Sequence, residues 1–150
     1  MFATIKEITE VVSIIGVLII VFALWFTVRS IRKQLQLNFL SEYTKRYQEI
    51  ILNFPESINA DCFRFDSLSK DEREKTLRYM RAYFDLCSEE YFLKRQKNID
   101  DATWNEWKSG MQLAFSKSAF RQAWKILRLD TVYYGEFTKF VNDTILKNQR

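Results

Sequence analysis

An unbroken apolar run near the N-terminus constrains this chain more than any other feature. Residues 11–28 are apolar except for Ser13 and Thr27. Ile8 extends the run toward the ~20 residues that cross a bilayer core as a helix. Aromatic side chains, which favour the membrane interface, lie near its C-terminal end at Trp25 and Phe26. The run therefore predicts a membrane-spanning helix.

Basic residues flank this run unevenly. Lys6 is the only one before it, whereas Arg29, Arg32 and Lys33 follow it directly. A cleaved signal peptide would instead have a shorter apolar region followed by small residues. Because Lys and Arg prefer the cytoplasmic side of a membrane, we predict a retained anchor followed by a cytoplasmic C-terminal part. The predicted boundaries are residues 1–30 for the anchor and 31–150 for the cytoplasmic domain.

Small and polar residues recur on one face of the predicted span, at spacings of three and four. Such faces let helices approach closely in lipid, so this one predicts self-association. Chance is the alternative explanation, because small residues are common in membrane helices. The small-residue face consists of Ser13, Gly16, Ile20, Ala23, Thr27, Ser30 and Gln34.

The rest of the chain repeats apolar residues at helical spacing and has no convincing alternating run. No Gly or Pro occurs between Gly16 and Pro55, which predicts that the span continues into a juxtamembrane helix reaching about Asn53. Its apolar seam is Leu40, Tyr43, Tyr47, Ile50 and Phe54. Residues 55–69 read as an ordered loop pinned by Phe63 and Phe65.

Capping signals predict four further helices. Ser69 and Glu72 form a capping box that begins a helix ending at about Arg95. Its predicted core stripe is Leu77, Met80, Phe84, Cys87 and Tyr91. Asp100 or Asp101 caps the next helix and Ser118 a short fourth one, and a last helix covers about Tyr133 to Leu146. Their predicted buried residues are Trp104, Trp107, Met111, Ala114 and Phe115, then Phe120, Trp124 and Leu127, then Phe137, Phe140, Val141 and Ile145.

These patterns together predict an all-α protein. A single N-terminal transmembrane helix continues into the juxtamembrane helix, and a compact cytoplasmic helical domain follows.

The chain lacks the residues that several kinds of chemistry require. The chain has no His, which excludes Ser–His and Cys–His nucleophiles, and its three Gly are isolated, which excludes a glycine-rich phosphate loop. Helix capping and solvation account for the carboxylate pairs Asp71/Glu72, Glu89/Glu90 and Asp100/Asp101. We expect no enzyme, metal or cofactor, and two buried reduced thiols at Cys62 and Cys87.

Basic residues are in excess from Arg29 onward. Only Lys6 of the 23 Lys and Arg precedes Arg29, and only Glu7 and Glu10 of the 19 Asp and Glu do, which leaves 22 against 17 and a net charge of +5. A solvated face, attraction to anionic lipids, and a nucleotide-like anion that stacks on nearby aromatics all fit this charge. The candidate ligand-binding residues are Lys94, Arg95 and Lys97 in one cluster, and Arg121, Lys125 and Arg128 on one face of the fourth helix.

The order of elements carries a family resemblance. Between Arg81 and Val141 the segments AYFDL, FLKRQKNIDDATWNEW, AFRQAWKI and FTKFV occur in sequence. This region resembles small single-pass bacterial antiphage proteins, and within them the membrane-anchored accessory effectors of type III CRISPR systems. The resemblance implies an inner-membrane protein whose domain binds cyclic tetra-adenylate, assembles as a tetramer and perturbs the lipid bilayer when the ligand arrives.

Three functions follow as hypotheses. The leading one is an antiviral effector in which the basic set holds the phosphates of a cyclic oligoadenylate. The second is a membrane-tethered scaffold that docks a protein partner without a small-molecule ligand. The third is an enzyme that acts on a lipid or a nucleotide without histidine.

Overall fold

The computed structural model describes residues 2–129 and 135–147, and all regular structure in these ranges is helical. The helices are α1 (Phe2–Ile51), α2 (Lys70–Arg95), α3 (Asp101–Ser116), α4 (Ser118–Leu127) and α5 (Gly135–Phe140), and α5 continues into a π-helical segment, Val141–Leu146. Short 3₁₀ turns at Glu56–Asn59 and Phe65–Ser67 lie between α1 and α2. The predicted all-α class is therefore confirmed.

Two compact units divide the chain, residues 1–39 and 40–150. In the first, α1 carries large apolar side chains that are exposed in the described structure, among them Phe22 at 67% and Leu18 at 62%. Val12–Ile51 is the one helix in the described ranges that is long and apolar enough to cross a membrane. Exposed apolar surfaces of this size are typical of helices that contact lipid or another helix.

The second unit begins within α1 and packs around α2. A capping box starts α2, because Ser69 accepts from the Glu72 backbone N–H at 3.3 Å while the Ser69 N–H donates to the Glu72 carboxylate at 3.1 Å. Asp100 caps α3 by accepting from the Thr103 N–H at 2.7 Å. Both predicted starts are confirmed, and α2 ends at Arg95 as predicted.

Aromatic side chains hold the second unit together. Phe84, Phe115 and Trp124 contact one another, with ring centroids 5.0 to 5.7 Å apart. Tyr91 stacks on Phe140 at 4.7 Å and so brings α5 against α2. These rings come from α2, α3, α4 and α5, so the predicted stripes form one shared core.

Three details differ from the sequence prediction. Ser118 is the first residue of α4 rather than its cap, and its hydroxyl bonds the Gln122 side chain at 2.8 Å. Cys62 is exposed, whereas Cys87 is buried as predicted. Residues 141–146 take wider π-helical turns, and Tyr133, the predicted start of the last helix, lies outside the described residues. The loop before α2 is pinned as expected, because Phe63 and Phe65 are both buried.

Candidate functional site

One face of α4 presents cations while the other lies in the core. Phe120, Trp124 and Leu127 are buried, whereas Lys125 and Arg128 are exposed. Neither cation forms an ion pair with a carboxylate that the structure describes. Their charges are therefore available to a ligand from solvent.

Arg121 already has acceptors within the chain. Its guanidinium donates to the backbone carbonyl oxygen of Phe115 at 3.0 Å and also to that of Ser116. These carbonyls end α3, where no further helical N–H is available to satisfy them. Arg121 thus caps α3, and a phosphate at this position would compete with those carbonyls.

The other cluster lies at the C-terminal end of α2. Lys94 pairs with Asp101 and Arg95 pairs with Glu136. Lys97 is exposed and has a φ of 58°, in the left-handed region common just after a helix. Cations here also stabilise the negative end of the helix dipole, so helix termination explains part of this cluster.

Within one chain, the two basic clusters do not meet at a single site. Lys94 reaches the first residue of α3, and Arg121 reaches the last. At 1.5 Å per residue, Asp101 and Ser116 are roughly 22 Å apart along α3. A ligand bound by both Lys94 and Arg121 must therefore bridge the length of this helix, or bind where two subunits meet.

A polar network joins the last turns of α1 to α2. Arg46 donates to both Glu89 carboxylate oxygens, at 2.6 and 3.2 Å, and the Tyr43 hydroxyl donates to the same group at 3.2 Å. The hydrogen bonds from Arg46 hold the pKa of Glu89 below its usual range. Burial, together with the Glu89 charge, raises the pKa of Tyr43 to about 12. The network fixes the register of these two helices.

Beside this network is a cavity of about 260 Å³ that the sequence did not indicate. Glu90 lines it, is only 7% exposed, and has a pKa raised to about 8 because burial disfavours its charged form. The sequence interpretation of Glu90 as a solvated carboxylate is therefore wrong. The signal was available, because Tyr83, Cys87 and Glu90 follow one another at spacings of four and three on the buried face of α2.

Comparisons with known proteins do not assign this chain to a family. The chain matches no protein-family model, no curated protein and no solved structure.

Proposed function

We propose that this chain is a single-pass protein of the bacterial inner membrane, whose cytoplasmic domain binds a cyclic oligoadenylate such as cyclic tetra-adenylate. In this proposal the chain acts in antiviral defence as a homo-oligomer, and the tetramer comes from the family resemblance. Ligand binding rearranges the oligomer, and the rearrangement perturbs the membrane or opens a pore.

The exposed basic face of α4 is the observation that carries this proposal. Lys125 and Arg128 face solvent on a helix whose other face is fixed in the core, so the cations sit on an ordered support. The net charge of +5 from Arg29 onward favours an anion of several charges. A ligand shifts a conformational equilibrium only by binding two states differently, and a site shared between subunits supplies that difference.

Loss of Arg128 is expected to weaken ligand binding. Arg128→Ala should reduce the affinity of the full chain in nanodiscs for labelled cyclic tetra-adenylate by about ten- to a hundredfold, because a charged hydrogen bond contributes about 1.5–3 kcal/mol. Lys125→Ala should have a smaller effect, because a lysine cannot bond a phosphate with two fixed donors.

Lys75→Ala is the matched control, since it removes the same charge from an exposed position of α2. If the wild type binds the ligand and neither Arg128→Ala nor Lys125→Ala lowers the affinity, the ligand binds at another site. Failure of the wild type to bind any cyclic oligoadenylate would end the effector proposal. Arg121→Ala is less informative, because it also uncaps α3.

Self-association of the span is expected to depend on its small-residue face. A Cβ atom added to Gly16 meets nothing within 4 Å in this chain, so a larger side chain there can clash only with a neighbouring helix. Gly16→Leu combined with Ala23→Leu should therefore reduce cross-linked oligomer in membranes severalfold. Val17→Leu combined with Val21→Leu adds apolar bulk off this face and should leave cross-linking unchanged. Equal cross-linking in the two double variants would show that the small-residue face is not the interface.

A membrane-tethered scaffold is the second candidate, and one surface feature favours it. A groove of about 850 Å³ runs between the last turns of α1 and α2, where Tyr79 and Phe92 line it together with Arg46 and Glu89. Phe92 is 57% exposed, as expected of an aromatic anchor for a partner helix. Co-purification of a stoichiometric partner that is lost in Phe92→Ser would favour the scaffold.

A further inference from the structure

The 260 Å³ cavity is lined by aromatic and acidic side chains, unlike the proposed anion site, which consists of lysines and arginines. Four aromatic side chains and two carboxyl groups line it, and no lysine or arginine is among its described lining residues. The rings are Tyr43, Tyr47, Tyr83 and Trp107, and the carboxyl groups are Glu90 and the exposed Glu106. A phosphate would be repelled here, whereas aromatic faces and carboxylates attract cations.

Glu90 has hydrogen-bonding capacity that the described chain leaves unused. Its carboxyl group has no hydrogen-bond partner among the described residues, although the residue is only 7% exposed. Two polar groups close by, Arg46 and Tyr43, bond Glu89 rather than Glu90. A buried carboxyl group without a partner is costly, so a ligand that donates N–H groups would relieve that cost.

We propose that this cavity binds a small protonated aliphatic amine, whose N–H groups donate to Glu90 and whose alkyl chain lies against the aromatic rings. Primary ammonium groups donate three hydrogen bonds, whereas quaternary ammonium ions have no N–H. At ~30 Å³ per water the cavity has room for roughly nine water molecules, which suits a short diamine. The two carboxyl groups, one buried and one exposed, match the two positive charges of a diamine. This inference goes beyond the proposed anion site and uses none of that site's residues.

Binding should be coupled to proton release. Burial raises the pKa of Glu90 to about 8, with Arg46 lowering it and Glu89 raising it to smaller extents, so the carboxyl group holds a proton at pH 7. An ammonium ion beside it favours the carboxylate. The proton then leaves for the buffer, and the product is a carboxylate–ammonium pair.

The probe is putrescine, titrated by calorimetry into the full chain in phosphatidylcholine nanodiscs at pH 7. Measurements in two buffers of different ionisation enthalpy count the protons released. We expect saturable binding, release of about one proton per putrescine, and affinity about ten- to a hundredfold weaker in Glu90→Gln. Glu74→Gln, an exposed carboxylate on the same helix, should bind as the wild type does.

A second variant separates the site from the carboxyl group itself. Gly110 lines the cavity, and a Cβ atom there meets nothing within 4 Å, so Gly110→Leu should fill space without a clash and weaken binding. Absence of saturable binding, equal affinity in Glu90→Gln, or binding without proton release would each overturn the proposal. A weaker apparent affinity in phosphatidylethanolamine nanodiscs would identify the lipid headgroup as the amine, and an equal affinity would identify a soluble diamine.

Discussion

Replacing Phe84 with alanine is expected to lower the free energy of unfolding by about 3–5 kcal/mol, the usual cost of removing a buried aromatic side chain. Phe84 is 1% exposed and contacts Phe115 and Trp124 with ring centroids 5.6 and 5.0 Å away. Its loss would leave a cavity bordered by three helices, and Phe115 and Trp124 would each lose an aromatic contact. Such a loss is a large part of the stability of a small domain.

Phe92→Ala is the matched control, because it removes the same side chain from the same helix at a position that is 57% exposed. We expect a change within about 0.5 kcal/mol there. Urea unfolding of the full chain in detergent micelles, followed by tryptophan fluorescence, measures both variants. Similar losses at the two positions would mean that Phe84 is not in the core.

Glu90→Gln is expected to stabilise the domain increasingly as the pH rises from about 4.5 to about 8, the ordinary and the raised pKa of Glu90. Between these values the folded state keeps the Glu90 proton and the unfolded state has lost it. Folded molecules then bind more protons than unfolded ones, so the stability of the wild type falls with rising pH. At about 1.4 kcal/mol per pKa unit, the whole window amounts to roughly 5 kcal/mol.

The measurement is the difference in unfolding free energy between Glu90→Gln and the wild type at several pH values. Arg46 lowers the pKa of Glu89 below its usual value of 4.5, so the titration of Glu89 lies outside this pH window. Glu74→Gln again serves as the control, because it makes the same substitution at an exposed position of the same helix, and its effect should stay within about 0.5 kcal/mol. A flat difference for Glu90→Gln as well would mean that the Glu90 carboxyl group is hydrated in the folded protein.

Local signals predicted most of the fold, because they act over a few residues. The start of α2 follows from the reciprocal hydrogen bonds of Ser69 and Glu72, which depend only on neighbours in sequence. The buried face of α4 follows from spacing alone. The π-helical turns at 141–146 could not be predicted in this way, since Phe137, Val141 and Ile145 suit either helix type and packing decides between them.

The candidate site was less predictable because charge pairing depends on tertiary structure. Lys125 and Arg128 could be assigned to one face from their spacing. That Arg121 caps α3, or that Arg95 pairs with Glu136, depends on how helices distant in sequence pack. The burial of Glu90, by contrast, follows from its spacing to Tyr83 and Cys87 on the buried face of α2, and the assignment of its carboxyl group to solvent was wrong.

The unequal exposure of the two cysteines gives this chain a built-in reporter of its own opening. Cys62 is exposed, whereas Cys87 is 1% exposed and burial raises the pKa of its thiol well above the usual value. A maleimide should therefore attach at Cys62 within the native state, while Cys87 reacts only in molecules whose core has opened. The rate of the second labelling event then measures the fraction of open molecules, in micelles or in intact membranes, without any engineered residue.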